Sequence, residues 1–158
     1  MDKKIMVVTH SILNQLALAE DKRLTEGPIP VIKDLTDLNV QLVQIPNIDN
    51  YYSLKLEREI TEEDRNTEEF KEYTRQFILP LVNDVMDHVK KGAKFLGVLS
   101  YRGDNTQSVE PQNSPIMVEV FRLFDRKCMI TPYYEIKENL SAEDIDLLIT
   151  DVMDALDF

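Results

Sequence analysis

Residues Ile5-Met6-Val7-Val8-Thr9 form an apolar, largely β-branched run with no alternation of apolar and polar positions, set between Lys3-Lys4 and His10-Ser11. An antiparallel sheet with one wet face shows such alternation. A strand that is apolar throughout needs cover on both faces, as in a parallel sheet whose crossover helices pack above and below it. The run therefore predicts a central parallel strand and, with it, an α/β fold.

The rest of the chain supplies matching elements. Val40-Gln41-Leu42-Val43-Gln44-Ile45 is a second strand that Pro46 ends, Lys94 to Ser100 is a third, and Lys127-Cys128-Met129-Ile130-Thr131 is a short fourth before Pro132. Ile12 to Glu20 reads as a helical turn or two. Val31 to Leu38 has helical spacing of Val31, Leu35 and Leu38, with Pro30 in the first turn and Asn39 as the stop. Asn66 and Glu69 make a reciprocal cap for a long helix with the stripe Phe70, Tyr73, Phe77, Leu81, Val85 and Val89, bent at Pro80 and closed by Gly92. Ser114-Pro115 opens a helix with Met117, Val120, Phe121 and Phe124 inward, and Ser141 caps a last one with Ile145, Leu148, Ile149, Val152 and Leu156 inward. Asn47 to Arg65 has little regular period and reads as a long surface loop, and Tyr101 to Asn113 is a polar loop. Strands alternating with helices imply right-handed crossovers. The expected fold is a Rossmann-like three-layer sandwich, a mainly parallel sheet of about four strands with helices on both faces, in one domain over residues 1–158.

Charge and cysteine content narrow the function. Eighteen basic residues against 29 acidic ones give a formal net charge of -11, which repels nucleic-acid phosphate and argues against a nucleic-acid partner. The single cysteine, Cys128, permits no intrachain disulfide and no thiolate cluster, which suits a reducing cytosol; a lone cysteine is more often buried packing than reactive, and Cys128 is expected to be buried. No apolar run approaches the ~18 residues of a membrane span. No Gly-rich phosphate fingerprint or metal-ligand spacing is present, so no metal site and no cofactor are expected.

In a parallel sheet the ends of the first three strands share one rim, where ligands of open α/β sheets bind. The residues delivered there are His10, Ser11 and Asn14, then Gln44, Asn47 and Asp49, then Ser100, Arg102, Asp104, Asn105, Thr106 and Gln107. Such a mixture suits a polar small molecule and specifies no reaction. His10 is either a ligand contact or acid/base, or it orients the turn through a backbone carbonyl. Asp49 and Asp104 are the carboxylate candidates, with turn capping as their alternative role. Arg102 either clamps an anion or pairs with Asp104. Tyr51-Tyr52 either stack on a base or cover the pocket, whereas His88 and the acidic run from Glu57 to Asp64 read as structural and solvated.

The strand followed by His10-Ser11-Ile12-Leu13-Asn14 resembles the His-Cys-Ile-Leu-Asn signature of the thiouracil desulfurase-related desulfidase family. Gln44-Ile45-Pro46-Asn47-Ile48-Asp49 resembles its Gln-Leu-Pro-Cys-Pro-Glu, and Arg65-Asn66-Thr67-Glu68-Glu69-Phe70 resembles its Tyr-Asp-Thr-Pro-Glu-Tyr helix start. Gly97-Val98-Leu99-Ser100 and the segment Asp104-Asn105-Thr106-Gln107-Ser108-Val109 fall where the family carries Ser-Pro-Ser-Cys-Gly. The resemblance implies a Rossmann-like fold and, in the family, three cysteines holding a four-iron four-sulfur cluster that takes sulfur from a thiolated substrate. In this chain the three positions are Ser11, Asn47 and Gln107. Hydroxyls and amides cannot replace thiolates on iron, so the expectation is a protein without the cluster that keeps a pocket for a nucleobase- or nucleotide-like molecule. Two other functions fit the same residues: a hydrolase or glycosyl-transfer enzyme using His10 with Asp49 or Asp104, and an acidic protein-interaction module. A homodimer and a monomer are both compatible with the sequence.

Overall fold

A computed structural model describes residues 3–109, 114–138 and 141–154. Strands β1 (Lys4–Thr9), β2 (Val40–Ile45), β3 (Lys94–Tyr101) and β4 (Tyr133–Ile136) form a four-stranded sheet in the order β2-β1-β3-β4, and every pairing is parallel. The unalternating run is thus a central strand, with Ile5 and Val7 facing one layer and Met6 and Val8 the other. Helices α3 (Ile48–Leu56), α5 (Glu68–Lys90) and α6 (Pro115–Arg126) cover the first face, burying Ile48, Phe70, Ile78, Val82, Val120 and Phe124. Helices α1 (His10–Leu13), α2 (Val31–Asp37) and α7 (Ala142–Asp154) cover the second through Ile12, Val31, Leu35 and Val152. The three-layer α/β sandwich follows from the central strand β1, which is apolar on both sides. Among the described residues no helix is long and apolar enough to cross a membrane.

Five local expectations are corrected. The segment from Asn47 to Arg65 is largely helical, holding α3 and α4 (Glu62–Arg65). The Asn47 side chain caps α3 by accepting from Asn50 N at 3.3 Å, Glu57 ends it in the left-handed region, and Tyr52 packs against Phe70 and Tyr73 with ring centroids 5.1 and 5.0 Å away. The long helix is capped by Thr67, whose hydroxyl accepts from Phe70 N, while Asn66 ends α4. Its buried face is centred on Phe70, Thr74, Ile78, Leu81, Val82 and Val85, leaving Tyr73 and Phe77 half-buried. The fourth strand lies at Tyr133–Ile136, beyond Pro132, because residues 127–131 turn the chain out of α6; Cys128 sits at φ 58° in that turn and is exposed, against the expected burial. The expected inward contact of Leu156 lies outside the described residues.

Two ion-pair devices brace this scaffold. Buried Glu119 on α6 accepts from Arg75 on α5 at 3.2 and 3.4 Å, tying the two helices together. In the α3–α4 connection the Arg58 guanidinium donates to both oxygens of Asp64 at 2.7 and 2.9 Å, and Thr61 N donates to it as well. The Arg58 bonds, then the Thr61 amide, hold the Asp64 carboxyl far below the usual carboxylate range. A depressed folded-state value means stability that is present above about pH 4 and disappears as pH falls toward the folded value. Thermal melts between neutral pH and pH 2 are expected to fall more steeply for the wild type than for Arg58→Gln, and parallel curves would remove this contribution.

Candidate functional site

After β1 the chain crosses to β2 on one side and then to β3 on the other, so the carboxyl ends of β1 and β3 form the switch point where successive crossovers diverge. His10 and Ser11 stand directly after β1, and the turn from Arg102 to Val109 follows β3. Both segments are buried there: His10 and Asp104 are each 4% exposed, and Ser11 and Gln107 are fully enclosed.

Gln107 joins the strand ends. Its Nε2 donates to the carbonyl of Pro46 at 2.7 Å, and its Oε1 lies 2.9 Å from His10 Nδ1. A carbonyl can only accept, so the amide has one orientation, with Oε1 toward the ring. Oε1 also can only accept, so His10 Nδ1 carries a proton. The other ring nitrogen, Nε2, lies 3.5 Å from Asp104 Oδ2. Asp104 Oδ1 accepts from Thr106 N at 3.1 Å and Thr106 Oγ1 at 2.7 Å, whereas Oδ2 is buried without a hydrogen-bond partner, as are Thr9 Oγ1 and Ser11 Oγ. Three such atoms on residues of one strand end and its facing loop depart from the near-complete pairing of buried polar groups.

Of the residues expected at the rim, His10, Ser11, Asp104, Thr106 and Gln107 come together here. Ser100 supports the loop by accepting from Val109 N at 3.3 Å. Arg102 Nη2 lies 3.7 Å from Glu135 on β4. Asn105 and Gln44 are exposed, and Asn14 caps a short turn by accepting from Leu16 N at 3.1 Å. Asn47 is occupied as the α3 cap, though its neighbour Pro46 is bound by Gln107. Asp49 is held by Arg65 through three contacts of 3.1, 3.2 and 2.7 Å, which makes it a brace between α3 and α4. Tyr52 is packed in the aromatic layer and Tyr51 lies 5.6 Å from Phe77, so both ring systems serve the core and its margin.

Sequence reasoning missed Thr9, Ser108 and Glu135. Ser108 donates to Glu135, extending the polar cluster toward β4, and a cavity of about 330 Å3 opens beside it between Val109, Ser114, Met117, Phe121 and Tyr133. A hydroxyl closing an otherwise apolar strand was the available signal for Thr9, and a lone carboxylate between Tyr134 and Ile136 was the signal for Glu135. Among the described residues no three His, Cys, Asp or Glu side chains converge as a metal-ligand set.

The chain is similar to an uncharacterized protein of Methanocaldococcus jannaschii, 25% identical over 139 residues that span 87% of this chain and 88% of that protein. No family model and no solved structure matches the chain.

Proposed function

We propose that the chain is a desulfurase-like protein without the iron–sulfur cluster, which binds a polar, nucleobase- or nucleotide-like small molecule at the carboxyl ends of β1 and β3. The observation that carries this is the set of unpartnered buried atoms, Asp104 Oδ2, Ser11 Oγ and Thr9 Oγ1, around His10. Each such atom costs about 1–3 kcal/mol, and a polar ligand that pairs with them offsets that cost on binding.

The resemblance to the desulfidases is supported by connectivity. Gln107 bonds the neighbour of Ser11 on one side and the neighbour of Asn47 on the other, so the three positions that carry cysteines in the family share one rim. Their hard neutral atoms suit hydrogen bonding in place of iron ligation. Binding is favoured over acid/base turnover because both ring nitrogens of His10 face protein groups and Asp49 is committed to Arg65.

A thermal-shift screen over nucleobases, nucleosides and nucleotides tests the reading. A ligand at 100-fold its dissociation constant is expected to add about 2.7 kcal/mol of stability. The absence of any shift across the three classes would remove the ligand assignment. Stoichiometric iron with acid-labile sulfide in the purified protein would overturn the assignment of a protein without the cluster.

A further inference from the structure

We infer that the open edge of β2 is an interface between two copies of this chain, which pair antiparallel through Val40–Ile45 about a two-fold axis and join their four-stranded sheets into one of eight. This surface is separate from the ends of β1 and β3, so the inference stands independently of what binds there.

The two edges of the sheet are built differently. A free strand edge offers unpaired N–H and C=O groups to other chains, and single-chain folds blunt it with short strands, inward-pointing charge, lysine, proline or bulges. β4 carries two of these devices: it is four residues long, and its Glu135 is turned inward onto Ser108. β2 carries none. It runs six residues in unbroken register with β1, from Lys4↔Val40 to Thr9↔Ile45, with no charge, proline or glycine in Val-Gln-Leu-Val-Gln-Ile. Among the described residues no strand pairs with its outer side. Gln41 and Gln44 are exposed, and Leu42 and Val43 are half-buried. In a chain with a net charge of -11, this neutral strip can receive a second copy without setting like charges against each other.

Charge at the two ends of β2 names the occupant. Beside its amino end, between the strand and the end of α5, a cavity is lined by Lys3, Lys4, Gln41, Val43, His88 and Lys91, and among the described residues by no carboxylate. Asp84 and Asp87 balance His88 and Lys91 from one turn back on α5, so Lys3 and Lys4 leave the excess positive. Beyond the carboxyl end of β2, α3 and α4 bring six acidic residues against three basic ones between Asp49 and Arg65, with Glu62 and Glu63 exposed. A two-fold axis perpendicular to the sheet near Leu42 and Val43 keeps the face covered by α3 and α5 on one side in both copies. It also lays the basic end of each β2 beside the acidic end of the other. Parallel pairing would set like ends together. The complementarity is met twice in one interface, as the symmetry of a closed dimer requires.

Sedimentation velocity and hydrogen exchange on the full chain test the pairing. The wild type is expected to sediment as a dimer at micromolar concentration and to dissociate on dilution and at high salt, with β2 amides exchanging more slowly in the dimer. Gln41→Lys with Gln44→Lys alters only exposed side chains, so the monomer fold is kept while association is expected to weaken at least about tenfold. Lys3→Glu with Lys91→Glu is expected to weaken it likewise, and adding Glu62→Lys with Glu63→Lys to that chain to restore it. A wild type that stays monomeric at every concentration, including one whose edge is taken by a different protein, would overturn the inference. So would a dimer that the glutamine substitutions leave intact, β2 exchange that is indifferent to concentration, or charge reversals without rescue. The wild-type dilution series decides the matter even where a variant fails to fold.

Discussion

Replacing Gly97 with alanine is expected to cost about 4 kcal/mol or more, a loss of a size reserved for a few identifiable causes. Two causes coincide at this position. Its backbone lies at φ +112°, which L side chains adopt only under strain of about 1–3 kcal/mol. A Cβ there would also stand 2.0 Å from the carbonyl oxygen of Pro132, on the backbone that leads into β4. The approach is close because Pro132 O accepts from Val98 N at 2.9 Å, the bond that opens the β3–β4 ladder. Gly97 is also where the register between β1 and β3 slips: Ile5 opposes Phe95 but Val7 opposes Val98, so β3 carries one extra residue. Before the bulge Phe95 faces the α5–α6 layer and Leu96 the α2–α7 layer; after it Val98 and Leu99 repeat that order. Gly92 provides the comparison. It lies at φ +102° with open space where a methyl group would stand, so Gly92→Ala isolates the backbone contribution at about 1–2 kcal/mol. Urea unfolding of both variants checks this, and equal losses would mean that Pro132 yields and the bulge is not the constraint.

That bulge shows why some of the fold was legible in the residues and some was not. β1 could be read from composition because burial on two faces demands an apolar residue at nearly every position, and β2, an edge strand with Gln41 and Gln44 exposed, from its β-branched residues and from Pro46, which marks its end. β3 could be located but not its register, since an extra residue in a run that is apolar on both faces leaves no mark on the pattern. β4 was displaced by five or six residues because Cys128-Met129-Ile130 has the composition of a strand, yet Ile130 is 91% exposed. α3 escaped notice because its apolar residues, Ile48 and Tyr52, are held by an aromatic layer contributed by α5, a tertiary contact with no local signature. At the site, the rim itself followed from parallel topology, which brings His10, Ser11, Asp104 and Gln107 to one place. Their division of labour was not legible. Asp49 and Asp104 follow their strands in the same way, but Arg65 from α4 claims the first and leaves the second unpaired on one oxygen.

Gln107→Leu is expected to cost about 4 kcal/mol, because it removes from a buried site the acceptor for His10 Nδ1–H and the donor for Pro46 O in one step. Leucine has a similar volume, so the loss reports hydrogen bonding more than cavity formation. Gln107→Glu keeps an acceptor for the ring and loses the donor to Pro46, and its cost is expected to include that broken link together with the penalty for a buried charge. The more telling readout is the histidine itself. Once the Gln107 oxygen is gone, nothing holds the proton on Nδ1, and the ring can place it on Nε2, where it donates to Asp104 Oδ2. Nitrogen-15 spectra of the imidazole are therefore expected to show the Nδ1–H form in the wild type and the Nε2–H form in Gln107→Leu. The ring–carboxylate pair then satisfies itself internally, without any change to His10 or Asp104. An unchanged tautomer with stability within about 0.5 kcal/mol of wild type would show that Gln107 does not set the proton. The expected result makes Gln107, bonded to Pro46 on its other side, the residue that fixes which nitrogen of His10 carries the proton and which faces Asp104.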